Sequence, residues 1–288
     1  MPVSDETRRL NKAVLLIVLG TFWFALMSAL GKLLTRDLHP LQVVFFRNAG
    51  ALCFSLPFLP AIGRYLWQSE RKMVFLVRGA ISQTATSFWF LAVAHAPFIQ
   101  VNALSFVTPA ASTAMAMLFL KEEVRKLRWL GLALGMVGVL WILRPGFASW
   151  YPGYHYAMGS VCCWAVVNVA IKSLATTEPP MAIVFAMFLV MTCLSLPGAW
   201  WVWKPISSQW FSTILALGFT AFLWQASITF AYRYGSVSEV QPFEYTRLIF
   251  SSLLASLLFL EPVDSHIVGG TAIILASAFV GIRKLKAD

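Results

Sequence analysis

Carboxylates are scarce in this sequence. Asp and Glu together number 12 in 288 residues, and all charged residues make up only 12%. A soluble domain carries about 25% charged residues, so a water-covered globule of this size is excluded. Polar stretches long enough to fold as a separate domain are also missing. The four cysteines, Cys53, Cys162, Cys163 and Cys193, fall inside apolar runs without CxxC spacing. That pattern supports neither a disulfide framework nor a metal site. There is no HExxH, no GxSxG, no phosphate-binding loop and no pair of aspartates within one apolar run. The chain is therefore not expected to be an enzyme or to hold a cofactor. The alternation over about 10 residues that marks a membrane β-strand is absent too.

What the sequence has in abundance is apolar length. Hydrophobic residues reach 59%, and they recur in runs near the ~20 residues a helix needs to cross the hydrocarbon of a bilayer. Backbone polar groups in lipid must be satisfied internally, so these runs are expected to be helices. The spans fall at about 13–34, 41–60, 73–94, 98–120, 127–143, 154–174, 180–203, 210–232, 237–260 and 266–283. The expected fold is an all-α polytopic membrane protein of ten transmembrane helices.

The net charge of +10 does not point to nucleic acid, because the basic residues sit at the ends of spans. With the N-terminus inside, fifteen Lys and Arg fall in cytoplasmic segments. Lys32, Arg36, Arg144 and Lys204 fall outside, and Arg47, Arg78 and Arg247 lie within spans. Positive residues stay on the cytoplasmic side, so both termini are expected in the cytoplasm and the chain in the inner membrane. Arg8, Arg9 and Lys12 precede an apolar run too long for a cleaved signal, so residues 13–34 read as a retained first span. Aromatic residues flank two external loops, Trp150 with Tyr151 and Trp200 with Trp201.

A shift of 139 residues maps Gly20 onto Gly159, Pro40 onto Pro179, Glu122 onto Glu261 and Gly131 onto Gly270. Twice this shift nearly fills the chain. The repeats are expected at 13–143 and 154–284. Five spans per copy is an odd number, so the second copy enters from the opposite side. Inverted repeats of this kind suit alternating access around a midplane site.

The stretch Phe88 to Gly146 carries LAVAHAPFIQVNALSFVTP, then FLKEE, then LGLALGMVGVLWILRPG. The stretch Gln225 to Lys284 carries FAYRYGSVSEVQPFEYTRLIF, then LFLEP, then a Gly-rich last helix. With HPLQVVFFRNAGA in the second span, these segments resemble EamA domains over almost the whole chain. The resemblance implies the drug/metabolite transporter superfamily, with two inverted five-helix halves around a central cavity. Its members move amino acids, S-adenosylmethionine, riboflavin, metallophores and other small metabolites. One departure stands out. Pro109 comes late in the fourth span and Pro242 early in the ninth, so the cavity is expected to be asymmetric.

Within the spans, Glu244 and Arg247 are the conspicuous residues. A charge at a helix centre costs about 2.5–3.5 kcal/mol and usually faces a cavity or a partner. Substrate binding or proton coupling is one reading, and a closed structural ion pair at i, i+3 is the other. Gln241, Glu244 and Arg247 map by the 139 shift onto Asn102, Ser105 and Thr108. The two stripes would make facing polar walls, or would only bond across helices and back to their own carbonyls. Pro109 and Pro242 each remove a helix hydrogen bond and are expected to kink their spans. Arg47 resembles the family's arginine at this place and would meet an external gate or a substrate carboxylate. Snorkelling to the interface is the plainer expectation for it, and likewise for Arg78. Trp23 and Trp164 hold nearly equivalent places in the two halves and would wall the cavity or pack against other helices.

A receptor would not need an inverted repeat, and a membrane scaffold would leave the polar stripes unexplained. The reading that fits is a secondary transporter of a small-molecule substrate within the lipid bilayer, with a homodimer left open. Export of amino acids or their derivatives is expected first. Uptake of S-adenosylmethionine or riboflavin is the alternative.

Overall fold

The computed structural model describes residues 5–121, 126–143, 150–261 and 265–282. Side chains are described there except at 5–7, 126–128, 143, 238, 241, 242 and 278–282. The described residues are helical or in short connections, with no strand among them. In chain order the α-helices are α1 (Asp5–Leu34), α2 (Pro40–Ser55), α3 (Leu59–Gln68), α4 (Lys72–His95), α5 (Phe98–Leu104), α6 (Val107–Phe119) and α7 (Lys126–Leu143). They continue as α8 (Gly153–Ala175), α9 (Pro180–Trp201), α10 (Phe211–Tyr234), α11 (Val237–Val240), α12 (Arg247–Phe259) and α13 (Ser265–Ile282).

Among the described residues, six helical segments are long and apolar enough to cross a membrane: Arg8–Leu34, Pro40–Gln68, Phe98–Phe119, Gly153–Ala175, Pro180–Trp201 and Ser208–Tyr234. Trp129–Ile142 and Ser265–Ser277 are shorter apolar helices. The protein is thus a multi-pass membrane protein. Large apolar side chains such as Leu15, Trp67, Leu118, Leu215 and Leu257 stand exposed on its outside, as a lipid-facing surface requires.

Local chemistry sets the helix ends. His39 precedes α2, its Nδ1 accepts from Leu41 N at 3.2 Å, and Pro40 supplies the first helical position, where its missing N–H is no loss. Pro179 and Pro180 open α9 in the same way. The second apolar run continues past the expected residue 60 to Gln68, tightening into a 3-10 turn at Leu56–Phe58 that contains Pro57. A proline there has no N–H to give.

The fourth and ninth rods depart most from the expected continuous helices. The fourth is broken between α5 and α6. Pro109 cannot donate to Ser105 C=O, and Thr108 N takes that carbonyl at 3.0 Å instead, a three-residue turn. The ninth runs through α11 and then a 3-10 stretch at Gln241–Thr246 that includes Pro242, before α12 begins at Arg247.

Packing brings α1 alongside α10, α4 alongside α8, α2 alongside α9, and α7 alongside α13. Gly20 lets α1 approach α10, where an added Cβ would lie 3.3 Å from Ser227 Cβ. Gly159 lets α8 approach α4, where a Cβ would lie 2.8 Å from the Phe88 ring. The two approaches are related residue for residue by the 139 shift. So are the two described non-glycine residues in left-handed backbone, Lys121 at φ 53° and Leu260 at φ 54°. These end the fourth and ninth rods.

At one end of the bundle, Glu261 binds two elements. Its carboxylate accepts from Lys32 Nζ of α1 at 3.0 Å and from Phe98 N and Ile99 N of α5 at 2.8 and 3.0 Å. Lys32 also donates to Ala96 O at 3.3 Å. At the opposite end Lys172 donates to Tyr232 O and Gly235 O. Glu122, the counterpart of Glu261 by the 139 shift, lies outside the described residues.

Candidate substrate cavity

The helix breaks place polar residues in the bundle. Ser105 lies at the break of the fourth rod and Glu244 in the 3-10 stretch of the ninth. Thr108 and Arg247 follow each by three residues. All four line one cavity. The middle of α1 adds Gly20, Thr21 and Phe24, α8 adds Ser160, Trp164 and Asn168, and Trp89 and Trp224 complete the aromatic wall.

Phe106 and Tyr245 are also related by the 139 shift, and their rings meet edge to face at 5.6 Å. The two breaks therefore face each other. Next to this contact Arg247 Nη2 donates to Ser105 Oγ at 2.6 Å, and Ser105 Oγ donates to Asn102 O at 2.6 Å. The guanidinium carbon of Arg247 lies 4.5 Å from the Phe24 ring centre and 5.2 Å from that of Phe106. A desolvated cation on an aromatic face gains about 2 kcal/mol.

Glu244 and Arg247 do not form an ion pair. The i, i+3 pairing allowed by the sequence fails because the guanidinium is turned to Ser105 and the two rings. Among the described residues the Glu244 carboxylate accepts no hydrogen bond, although only 6% of the residue is exposed. A buried carboxylate and a buried guanidinium thus share one wall without neutralising each other by contact. Such a wall can hold an ammonium and a carboxylate of one small molecule, or bind and release a proton.

Other expected site residues lie elsewhere. Asn102 is fully buried outside the cavity, donating to Phe98 O at 2.8 Å and accepting from Ser251 Oγ at 3.0 Å. It ties α5 to α12. The side chains of Gln241 and Pro242 lie outside the described residues. Trp23 packs edge-on against Phe22 and does not line the cavity, whereas Trp164 does, with its ring 5.1 Å from that of Trp224.

Neither Arg47 nor Arg78 snorkels. Arg47 is 0% exposed, donating from Nη1 to Asn48 Oδ1 at 2.7 Å and from Nε to Met27 Sδ at 3.4 Å. Arg78 is 1% exposed and donates to Ile183 O at 3.2 Å. Both side chains are covered by neighbouring helices, so no path to an interface is open to them. Sequence reasoning missed Phe24, Thr21, Ser160 and Asn168 as cavity residues. A signal existed for Thr21 and Ser160, since the 139 shift maps one onto the other.

The EamA-like transporter family model matches this chain twice, over residues 11–144 and 151–282. The chain is 30% identical to the pseudopaline exporter CntI of Pseudomonas aeruginosa over 281 residues, covering 96% of this chain and 98% of that protein. It is 24% identical to the S-adenosylmethionine uptake transporter of Rickettsia prowazekii, over 94% and 95% of the two chains. It is 28% identical to a riboflavin transporter of Rhizobium johnstonii, over 99% and 96%. One solved crystal structure superposes with a TM-score of 0.74 over 96% of this chain and 99% of the other, and its 19% identity shows a shared fold. Matched along nearly its whole length, this multi-pass membrane protein belongs to the EamA-like transporter family and is a transporter of small molecules.

Proposed function

We propose that the protein is a secondary carrier of a small metabolite with both cationic and anionic groups, most simply an amino acid or a derivative, moved outward. The observation that carries this reading is the pairing of Glu244 and Arg247 as separate charges on one aromatic-lined cavity wall. Glu244 takes the ammonium, while Trp89, Trp164 and Trp224 take the apolar part of the cargo. In the alternative state of the carrier, Glu244 takes a proton in place of cargo and so couples transport to a pH gradient.

The frame for this mechanism is ten spans in two inverted halves, 13–143 and 154–284, in the cell inner membrane. The reciprocal approaches at Gly20 and Gly159 support it, as do the two consecutive family matches. Facing broken rods with polar residues at the breaks are suited to alternating access. Outward movement draws support from the relative named an exporter. The relative named for S-adenosylmethionine uptake favours an uptake reading with equal weight, and riboflavin is the cargo named for another relative.

The test is counterflow in liposomes holding purified protein, with labelled amino acids, S-adenosylmethionine and riboflavin compared side by side. Exchange of amino acids is expected. Exchange of riboflavin or S-adenosylmethionine alone overturns the amino-acid reading and selects the other. A reporter active only outside the cytoplasm, fused after Asp288, should stay silent, and strong activity would refute the cytoplasmic C-terminus.

A further inference from the structure

Buried hydroxyls in membrane helices commonly donate to a backbone carbonyl one turn back. Thr220 and Thr229 of α10 do so, at 2.8 Å from Ala216 O and 2.7 Å from Gln225 O. Two hydroxyls of α4 do not. Ser82 Oγ and Thr86 Oγ1 are buried and have no hydrogen-bond partner. One turn before Ser82 lies Arg78, whose Nε and Nη2 are also buried without partners. Single cases occur elsewhere, as at Thr192 and Ser252, but on α4 three such residues are stacked. Buried polar groups without partners are rare, and each calls for a cause.

Helix geometry gives the stack a direction. At 3.6 residues per turn, Arg78, Ser82, Thr86 and Trp89 fall within about 80° of arc on α4. The last of these lines the cavity. On one flank of the stack α4 meets α8, where Ala85 O accepts from Ser160 Oγ at 2.9 Å and the Phe88 ring covers Gly159. On the other flank Gly79 packs against Val190 of α9. The stack therefore continues the cavity face of α4 for about 16 Å between α8 and α9. It runs toward the end that holds Lys172, where Arg71 donates to Ser173 O at 2.9 Å.

This route is closed in the structure. Ser82 and Thr86 are 0% and 2% exposed. Past Arg78, Phe75 is buried in one cluster with Leu174 of α8 and Ile183 of α9. Arg78 is tied to the same turn of α9 through Ile183 O. A polar group buried without a partner gives up its hydration at a cost. A helix face that is dry in one conformation and wet in another recovers that cost in the second. By the 139 shift Arg78, Ser82 and Thr86 correspond to Leu217, Ala221 and Gln225. The equivalent face of α10 is apolar at two of its three places, so the repeat alone does not account for the stack.

We infer that Arg78, Ser82 and Thr86 line the passage between the cavity and the Lys172 end, wetted when α4 parts from α8 and α9 there. The two hydroxyls and the guanidinium keep a polar cargo hydrated along a route that apolar side chains would deny it. Polar and ionisable residues inside a membrane mark such routes. The inference rests on the alternating-access reading of the protein and is independent of which cargo it carries.

The experiment uses the full-length protein in a cysteine-free background, expressed in bacterial membranes, with a charged, impermeant thiosulfonate as the probe. The probe is added to spheroplasts or to inverted vesicles, which expose opposite sides. Thr176→Cys, at the exposed end of α8, marks the side that carries the Lys172 end. Leu76→Cys, on the outer face of α4, is the lipid-facing control. A thiol in water forms the reactive thiolate, whereas one in apolar surroundings stays inert. Ser82→Cys and Thr86→Cys should react about 10-fold faster than Leu76→Cys, and only from the side that labels Thr176→Cys. Rates no higher than that of Leu76→Cys, or reaction from the opposite side or from both, overturn the passage. Should both variants fail to fold, hydroxyl-radical footprinting of wild type decides. Oxidation of Phe75 places water at the mouth, and an unmodified Phe75 overturns the inference. Failed amino-acid counterflow with both cysteines reactive refutes the cargo reading alone. Silent cysteines with intact counterflow refute the passage alone.

Discussion

Arg247 of the ninth rod donates to Ser105 of the fourth at 2.6 Å, joining the two helix breaks across the cavity. Each partner sits where its helix is interrupted, so the bond links the parts of the bundle best able to bend. A hydrogen bond to a charged group contributes about 1.5–3 kcal/mol. Ser105→Ala should lower the melting temperature and weaken substrate exchange, while Ser105→Thr, which keeps the hydroxyl, should retain more of both. Equal losses in the two variants would remove the hydroxyl from the account.

The unpartnered carboxylate of Glu244 leads to a second prediction. Glu244→Gln keeps the size and removes the charge, so the protein should fold. It should lose uptake or export driven by a pH gradient and retain part of its exchange of substrate. Flux in liposomes with and without the gradient is the measurement. Wild-type flux with a wild-type response to the gradient would end the coupling role.

Pro109 sets the break in the fourth rod. Pro109→Ala restores an N–H able to reach Ser105 C=O, and removing a helix-interior proline is worth up to about 3 kcal/mol. A higher melting temperature with slower transport is expected, because a straighter rod gives up the bend that carries Ser105. Faster transport in this variant would show that the break is incidental.

Glu261 closes one end by holding Lys32 and two backbone N–H groups of α5. Its side chain and that of Lys32 are 17% and 18% exposed, so screening is partial. Glu261→Ala should destabilise by about 2 kcal/mol, since buried N–H groups lose a charged acceptor. It should also favour the conformation open at that end. A Ser105→Cys probe in a cysteine-free background should then react faster with a thiol reagent added outside. An unchanged labelling rate would show that the cluster is a static cap.

Gly50 and Gly218 press α2 against α10. A Cβ on Gly50 would lie 2.9 Å from Gly218 Cα, and one on Gly218 would lie 2.6 Å from Gly50 Cα. Both obstructions are backbone, so side-chain adjustment cannot relieve them. Gly218→Ala should cost about 1–3 kcal/mol through overpacking, read as a lower melting temperature in detergent. A melting temperature equal to wild type would show that the helices separate freely.

Much of this molecule is legible in one dimension because lipid removes alternatives. An apolar run in a bilayer has to satisfy its own backbone, so length and hydropathy led directly to helices. The 139 shift related Ser105 to Glu244 before any packing was known, whereas the meeting of Phe106 and Tyr245 came from the packing. Pro109 and Pro242 marked the two rods that break, since a missing N–H is a local fact. The sequence also identified Glu244 and Arg247 as residues too polar for their surroundings.

Side-chain direction was decided only by tertiary packing. Spacing allowed Glu244 and Arg247 to pair, yet a hydroxyl and two aromatic faces from other helices drew the guanidinium away. Arg47 and Arg78 were free to snorkel as far as the sequence goes, until neighbouring helices covered them. Asn102 left the cavity because Ser251, 149 positions away, offered it a hydrogen bond. Trp224 came to line the cavity and to touch Arg47 through contacts with α1, α2 and α8. Hydropathy and proline act within one helix, so the sequence determines them. The partner of a buried polar group depends on which helices become neighbours, and only the folded bundle decides that.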